Sequence, residues 1–332
     1  MIWLVPAGAF LLTLALIAAT LKWRWHWAMD HPNERSLHSD PTPRTGGVAL
    51  IVGVLVSVAI ASPWIAGVPW PAFALALALA GISLADDRGG LPVRLRLGAH
   101  LLAAAVFAAY LTQSAAPWWW MLGITVAVGA AANFFNFMDG ANGLAGGMAV
   151  AGFSCYGIAA MSAAALPVTG FSVFCFAVAA AAAGFLCFNL TGRVFMGDGG
   201  SVPVGFLAGA IGVDGALRGA WPWWFPLLVF APFLADALLT LSRRVLRGER
   251  FWQAHREHYY QRMVRTGWTH RRLAIAEYGL MMACGAGALA ARQADPAIRW
   301  LIVGALALVF SIVCALVDYR WRRFQAGQGE KP

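Results

Sequence analysis

Carboxylates in two short segments could do chemistry on a phosphate. Asp86 and Asp87 stand side by side at the end of an apolar run, and Asp198 stands between glycines just ahead of another. Adjacent carboxylates repel each other unless a cation or a proton lies between them, and Mg²⁺ binds carboxylate and phosphate oxygens together. Glycines let a backbone approach a phosphate, and a helix N-terminus favours an anion. An aspartate at such a place makes sense if it carries a metal ion that binds the anion. These residues predict a divalent-cation site, although a solvated helix end is the alternative for Asp86 and Asp87.

A third segment repeats amide and acidic side chains at every third position: Asn133, Asn136, Asp139 and Asn142. Positions three apart drift by about 60° per step on an ideal helix, so four of them cannot share a face unless the helix ends. Gly140 and Gly143 are places where it can end. We therefore predict a polar cluster able to hydrogen-bond a nucleobase or sugar, with a structural network between helices as the alternative.

Cations that could hold a diphosphate lie in two further segments. In the longest polar segment, residues 243–272, His255 and His258 are three apart and would share one helix face, with Arg256 beside them. Charge-assisted hydrogen bonds to a diphosphate fit this group better than zinc, because no matching pair of ligands is near. Arg44 precedes a pair of glycines in the first polar segment. For the arginines, attraction to anionic lipid is the alternative.

The elements that must position these residues are apolar. The chain has 332 residues, of which 60% are hydrophobic and 12% charged, whereas a soluble domain has about 25% charged residues. This excludes a soluble enzyme and a disordered chain. It also argues against a nucleic-acid partner despite the net charge of +9. Long runs rich in Ala, Leu and Gly favour a helical bundle over a barrel.

We predict an all-α polytopic membrane protein with a bundle of about eleven transmembrane helices. Their approximate limits are 1–21, 46–62, 70–85, 97–114, 117–134, 143–163, 167–188, 201–217, 222–242, 273–291 and 299–317. Residues 1–21 lack a charged start and a cleavage site, which favours an uncleaved first helix over a signal peptide. We expect 1–332 to form a single membrane domain, with a motif-bearing core of about 30–272, two C-terminal helices and a basic tail.

The positive charges predict the orientation of the bundle. Of the 24 Lys and Arg residues, 21 lie in one alternate set of loops and 3 in the other. This bias predicts an outside N-terminus, a cytoplasmic C-terminus and an active site on the cytoplasmic face, where the polar segments lie. Asp236 falls inside a predicted span, and burying a carboxylate there costs about 2.5–3.5 kcal/mol, which indicates a role.

Five segments, in this order, resemble the polyprenyl-phosphate N-acetylhexosamine-1-phosphate transferases of glycosyltransferase family 4, relatives of the phospho-N-acetylmuramoyl-pentapeptide transferases. They are HPNERSLHSDPTPRTGG at 31–47, the Asp pair at 86–87, NFMDGANGLAG at 136–146, FMGDGGS at 195–201 and HREHYYQRM at 255–263. The last is most like the branch that initiates O-antigen synthesis.

The resemblance implies a reaction in which undecaprenyl phosphate attacks the β-phosphate of a UDP-N-acetylhexosamine, with Mg²⁺ (Mn²⁺ being the alternative) and release of UMP. It implies catalytic roles for Asp86, Asp87, Asp198, His255 and His258, with Asp198 and Asp87 as metal ligands and Asp86 as a hypothetical general base. The implied nucleotide-sugar residues are Asn133, Asn136, Asp139, Asn142, Asn189, Phe195, Arg44 and Arg256. Many family members have Asp where this chain has Asn142, and an amide donates as well as accepts hydrogen bonds.

The expected setting is the bacterial inner membrane, with the UDP-sugar, undecaprenyl phosphate and membrane lipids as partners and a homodimer as one candidate state. One alternative is the same chemistry with UDP-GlcNAc for another cell-wall polymer, or with a rarer 2-acetamido-6-deoxy sugar. Another is a lipid-linked sugar flippase or transporter, which should show intramembrane charges or an internal repeat. The sequence has one such Asp and no clear repeat. A non-catalytic membrane scaffold is the third alternative.

Overall fold

A computed structural model describes residues 2–23, 29–30, 41–112, 117–163, 170–250, 253 and 255–329, without the side chains of 87–89 and 328–329. The thirteen α-helices in these ranges, α1 to α13 in chain order, are Leu4–Lys22, Gly46–Ala61, Trp70–Gly89, Val93–Thr112, Trp118–Phe137, Leu144–Met161, Gly170–Asn189, Asp198–Leu217, Trp224–Val229, Ala231–Leu246, Tyr259–Arg265, His270–Gln293 and Pro296–Gly329. A short 3-10 turn, Ser62–Trp64, follows α2. Two short antiparallel strands, β1 (Met29–Asp30) and β2 (Thr42–Pro43), pair with each other.

Most of the helices are long and apolar enough to cross a membrane. Nine of those in the described ranges meet both conditions: α1, α2, α4, α5, α6, α7, α8, α12 and α13. The apolar part of α3, Trp70–Asp86, is shorter. The protein is therefore an all-α polytopic membrane protein, as predicted. The count of about eleven spans, the sidedness of the termini and the single-domain division stay predictions.

The predicted span over 222–242 is not one helix. It is divided into α9 and α10, which meet at Phe230. Pro232 has no backbone N–H and is favoured in the first turn of a helix, which is where it lies in α10. The N–H groups of Phe233 and Leu234 both donate to the carbonyl of Phe230. The prediction of a continuous helix was wrong because it counted apolar residues and gave the proline no weight.

The centre of the bundle is formed by α6, α7 and α8. In α8, 78% of the apolar window is buried within the protein, against 6% in α13 at the periphery. Helix α8 packs against α3 and α5, and small residues let these helices approach closely. A Cβ added to Gly205 would lie 2.5 Å from the Cβ of Phe135 and 2.8 Å from the carbonyl oxygen of Ala131. This packing brings the start of α8 beside the ends of α3 and α5, and we call this the motif end of the bundle.

Candidate active site

Asp86 and Asp198, which are far apart in the chain, share one arginine at the motif end. Arg96 Nη1 donates to Asp86 Oδ2 at 3.0 Å and lies 3.3 Å from Asp198 Oδ2. Asp86 Oδ1 accepts from the N–H of Leu91. The Asp86 side chain is 8% exposed and that of Asp198 is 30% exposed. Because both carboxylates converge on one cation, this is a place where positive charge is required.

His100 extends this cluster by one helical turn along α4. It is buried, and its Nδ1 lies 3.3 Å from Asn133 Oδ1. The Asn133 amide nitrogen donates to the carbonyl of Gly129 at 2.8 Å, so its oxygen faces the histidine. Predicted residue Asn133 is thus connected to the carboxylates through His100 and Arg96, neither of which the sequence analysis assigned. Arg96 and His100 are four residues apart in the helix that follows the aspartate pair. This spacing places them on one helix face and is the signal that could have identified them.

Backbone pairing joins the first polar segment to the start of α8. The N–H groups of Gly46 and Gly47 donate to the carbonyls of Phe195 and Met196, both at 3.0 Å. A Cβ on Gly47 would meet the carbonyl oxygen of Met196 at 2.6 Å and the backbone of Gly200. These glycines therefore allow two backbones to cross at contact distance. The structure gives the Phe195 backbone this pairing role, and a stacking role for its ring stays a prediction.

Asp198 is the first residue of α8, three residues earlier than the predicted start at Ser201. Gly197 precedes it with a left-handed φ of 70°, which a side chain would strain. The N–H of Ser201 donates to the Gly197 carbonyl at 2.9 Å and closes the first turn. A carboxylate in the first turn is favoured by the helix dipole, and the same N-terminus attracts the anionic groups of a ligand.

The polar turn between α5 and α6 brings Asp139 to the same cluster. Helix α5 ends at Phe137 and α6 begins after Gly143, whose φ is 85°, so the predicted helix end is confirmed. Asp139 is partly buried near Asp198 and Arg44, and burial and the charge of Asp198 raise its pKa well above the ordinary value. Arg44 itself is paired with Asp30 at 2.6 Å.

The same turn is held from its other side by three side chains. Asn189 Oδ1 accepts from the Gly143 N–H at 2.6 Å, and its amide nitrogen donates to the Val194 carbonyl at 2.9 Å. The Tyr278 hydroxyl donates to the Gly143 carbonyl, and the Asn142 N–H donates to His270 Nδ1. The structure thus uses Asn189 to position the turn, and a contact of Asn189 or Asn142 with a nucleoside stays a prediction. Asn136 lies partly buried in the last turn of α5.

The histidine segment reaches the site through Asp236. The two carboxylate oxygens of Asp236 accept from His258 Nδ1 at 3.0 Å, the Tyr259 N–H at 2.9 Å and the Tyr260 N–H at 3.0 Å. The His258 side chain is buried and also accepts from the N–H of Gln261, so Asp236 and the backbone of this segment together fix the imidazole. The Tyr260 hydroxyl donates to the Phe137 carbonyl at 3.0 Å. This links the histidine segment to the end of α5, beside the Asp139 turn.

The expectation that His255 and His258 share a helix face was wrong. His258 is the N-cap of α11, and His255 precedes the helix, yet their rings lie 4.9 Å apart. His258 instead caps the helix: its side chain accepts from the Gln261 N–H, and Gln261 Oε1 accepts from the His258 N–H at 3.2 Å. His255 Nδ1 accepts from the Glu257 N–H, and burial with the nearby charges of His258 and Arg244 lowers the pKa of His255 to about 4. His255 is therefore neutral at physiological pH.

Arg256 is partly buried next to these histidines. Among the described residues, its Nε and Nη2 atoms are buried without a hydrogen-bond partner. Unsatisfied buried guanidinium atoms are costly and suit an anionic ligand. The side chain of Asp87, the other predicted metal ligand, lies outside the described residues, as do residues 31–40 of the first motif.

The donor set fits Mg²⁺ in its chemistry. Asp198 offers carboxylate oxygens, and it lies in a cluster where Arg96 already brings a positive charge to it. Within the described residues no group of three or more His, Cys, Asp or Glu converges on one point. Mg²⁺ commonly uses one or two carboxylates and completes its shell with water and substrate phosphates. The metal site itself stays a prediction.

Comparison with known proteins identifies the family of the chain. Residues 70–216 match the model of glycosyl transferase family 4. An undecaprenyl-phosphate α-N-acetylglucosaminyl 1-phosphate transferase of Yersinia pestis is 31% identical over 267 residues, covering 73% of this chain and 71% of the relative. A decaprenyl-phosphate N-acetylglucosaminephosphotransferase of Mycolicibacterium smegmatis is 29% identical over 339 residues, covering 87% and 81%. A probable undecaprenyl-phosphate N-acetylglucosaminyl 1-phosphate transferase of Bacillus subtilis is 24% identical over 323 residues, covering 90% and 87%. The chain thus belongs to glycosyltransferase family 4, within the superfamily of polyprenyl-phosphate N-acetylhexosamine-1-phosphate transferases.

Proposed function

We propose that this chain transfers an N-acetylhexosamine-1-phosphate from a UDP-sugar to undecaprenyl phosphate. The product is the lipid-diphosphate-linked first sugar of a surface glycan such as O-antigen, and UMP is released. The observation that supports this most is the convergence of Asp86 and Asp198 on Arg96 at the motif end. The named activities of the relatives supply the acceptor and the donor class. We place the reaction at the cytoplasmic face of the bacterial inner membrane, following the charge bias.

The reaction needs little covalent chemistry from the protein. An oxygen of the acceptor phosphate attacks the β-phosphorus of the donor, and the bond from that phosphorus to the bridging oxygen breaks, so UMP takes the electron pair. A phosphate monoester is already ionised near neutral pH, so positioning and charge neutralisation can supply most of the acceleration. When bound, Mg²⁺ would neutralise charge on the diphosphate. Asp198 and Asp87 are the residues that would hold it.

Asp86 is better placed to position groups than to accept a proton. One carboxylate oxygen accepts from the Leu91 N–H and the other from Arg96, so both are engaged by the protein. The general-base role is a hypothesis with a clear test. If Asp86→Asn keeps near-normal turnover and an unshifted pH–rate profile, Asp86 is not the base.

The donor would bind between the turn that carries Asp139 and the histidine segment. Tyr260 joins these two parts, since its hydroxyl donates to Phe137. The unpaired guanidinium atoms of Arg256 are polar groups suited to the diphosphate, and His258 remains our candidate for the sugar. Asn136, Asn142 and Phe195 remain our candidates for the nucleoside.

An apolar cavity of about 440 Å³ suits the polyprenyl chain of the acceptor. It lies between α5, α8 and the broken pair α9 and α10, and its lining includes Trp120, Phe134, Tyr156, Phe230 and Leu234. Phe134 adjoins Asn133, which belongs to the carboxylate cluster. A chain lying in this cavity would therefore have its phosphate end near Asp86 and Asp198.

The test is UMP release by purified protein in detergent, with undecaprenyl phosphate, Mg²⁺ and a panel of UDP-N-acetylhexosamines. We expect release that requires both the lipid and the metal and that disappears in Asp198→Ala. The matched control is Asp295→Ala, because Asp295 is exposed and starts α13 far from the motif end in sequence. Undiminished release in Asp198→Ala would refute the assignment of the site.

The same chemistry with UDP-GlcNAc is the second candidate, because the relatives act on N-acetylglucosamine by name. The sugar panel separates the two, since each predicts a different preferred donor. A flippase gains no support from Asp236, the intramembrane acid that could have indicated transport. Its carboxylate is engaged in anchoring α11 and has no free oxygen for a transported group.

A further inference from the structure

The C-terminal helix α13 is the least buried candidate span, yet its last turns make specific contacts. Only 6% of its apolar window is buried within the protein. Past Val317, however, Asp318, Arg320 and Trp321 all contact α10, α11 or the residue that ends α11. A helix that only faced lipid would not need these polar contacts, so the end of α13 has a further role.

Asp318 joins three helices through one carboxylate. Its oxygens accept two hydrogen bonds from Arg243 of α10, each at 2.8 Å, in a bidentate pair. Arg262 of α11 donates to the same carboxylate at 2.9 Å, and the Tyr259 hydroxyl lies at 3.4 Å. Arg262 is 6% exposed, so this contact is largely withdrawn from water. Bidentate and charge-assisted hydrogen bonds are among the strongest and most directional in proteins.

Aromatic rings and one backbone contact strengthen the joint. The Tyr259 ring is flanked by the guanidinium groups of Arg243 at 5.3 Å and Arg262 at 5.1 Å. Trp321 lies 4.7 Å from the guanidinium of Arg265, within cation–π range. Arg320 donates to the carbonyl of Thr266, the residue that ends α11. The last turns of α13 therefore contact α11 from its first residue to its end.

Helix α11 needs such support because it has only seven residues. A helix this short is not stable by itself in water, so its position is set by its neighbours. Asp236 holds its N-terminus through hydrogen bonds with the His258 ring and the Tyr260 N–H. The N–H of Arg262 donates to the His258 carbonyl at 2.9 Å, so Asp318 holds the same helical turn through the Arg262 side chain.

We propose that Asp318 is a positioning residue for the transfer reaction. It holds α11 through Arg262 and Tyr259 in the orientation that presents His258 to the substrate, without itself touching the substrate. The proposal rests on the proposed transferase function. It also assigns a purpose to α13, which lies beyond residues 70–216 that match the family model.

The experiment compares Asp318→Asn, Asp318→Glu and Asp295→Asn in the full-length protein. Asp295 is the matched control, because it is an acid on the same chain segment and is exposed at the start of α13. UMP release gives kcat and the KM for the UDP-sugar. Hydrogen–deuterium exchange of residues 255–266 measures the order of the histidine segment without any need for activity, and thermal unfolding monitors the whole protein.

We expect Asp318→Asn to lower kcat at least tenfold with a smaller change in KM, and to raise exchange in 255–266 at nearly unchanged thermal stability. Asp318→Glu should recover much of the loss, and Asp295→Asn should match the wild type. Wild-type kcat and exchange in Asp318→Asn would overturn the proposal. So would a general rise in exchange across α12 and α13 with a lower melting temperature, because Asp318 would then serve only helix packing. Failure of the proposed function appears differently, as absent UMP release in the wild type, while the exchange result still reports on Asp318.

Discussion

Replacing Asp236 by asparagine keeps the shape of the side chain and removes its charge. In the protein, Oδ1 accepts from His258 Nδ1 and the Tyr259 N–H, and Oδ2 accepts from the Tyr260 N–H at 3.0 Å. Asparagine has one acceptor oxygen, so its amide N–H₂ must face at least one of these donors. At the N-terminus of α11, the amide N–H₂ of the asparagine then faces another hydrogen-bond donor. His258 also loses a charged partner.

The size of the effect follows from these contacts. A hydrogen bond to a charged group contributes about 1.5–3 kcal/mol, and one between neutral groups about 0.5–1.5 kcal/mol. The variant loses the Tyr260 contact and weakens the three others, from His258, Tyr259 and Thr240. Burying a neutral amide costs less than burying a carboxylate, so the net loss is about 2–3 kcal/mol. For a chain of this size we expect the melting temperature to fall by about 3–4 °C. If His258 loses its orientation, kcat should fall at least tenfold, equivalent to about 1.4 kcal/mol.

The assay is thermal unfolding in detergent together with steady-state UMP release. The matched control is Thr240→Val, because the Thr240 hydroxyl donates to the same carboxylate oxygen at 3.1 Å but touches neither His258 nor α11 in the contacts described above. We expect that control to lose about 1 kcal/mol and little activity. Wild-type stability and kcat in Asp236→Asn would refute the reasoning. Equal damage in Thr240→Val would show that the carboxylate matters only for local packing.

Three further predictions concern the site and its frame. Arg96→Met should lower turnover at least tenfold, because Asp86 and Asp198 lose their shared cation, while Arg94→Met, at an exposed position two residues earlier, should leave UMP release unchanged. Gly47→Ala should destabilise the protein by about 1–3 kcal/mol, because its Cβ would meet backbone atoms at 2.6–2.7 Å; Gly81→Ala, where a Cβ meets nothing within 4 Å, is the control, and equal melting temperatures would contradict the close approach. The pKa of His255 is lowered to about 4 in the folded protein, so the unfolded chain takes up this proton first as the pH falls. The contribution of His255 to folding stability is therefore present above pH 6.5 and is lost between about pH 6.5 and 4. His255→Gln should therefore show a smaller drop in melting temperature over that range, and an identical drop would contradict the burial of His255.

Some features of the fold were predictable because they depend on local composition. Gly46 begins α2 as predicted, and the polar turn after Phe137 ends α5 where the glycines allow it. The start of α8 at Asp198 was misplaced by three residues, since the glycines around Asp198 were assigned to the segment before the span. The break at Phe230 was missed because the prediction counted apolar residues and gave no weight to Pro232.

The partners within the site were much less predictable. Asp236 was recognised as costly inside a span, but nothing in its neighbourhood of the chain identifies His258, 22 residues later, as its partner. Arg96 and His100 were passed over because cations near a membrane surface usually reflect the charge bias of cytoplasmic loops. Asn189 is the opposite case, because it was assigned to the nucleotide-sugar from the sequence. In the structure, the oxygen and the nitrogen of its amide both pair with backbone groups.

By itself, the sequence determined the class of the protein, because covering so much apolar surface requires a bilayer and most of the apolar runs are long enough to cross one. Its motifs also indicated the family, since each combines residue types that phosphate chemistry requires. Only the tertiary structure decided which charges meet: Arg96 with Asp86 and Asp198, His258 with Asp236, and Arg262 with Asp318. The physical reason is that a periodic pattern reports how each helix meets its surroundings. An ion pair between two helices depends on their relative position and rotation, which the packing of the whole bundle sets.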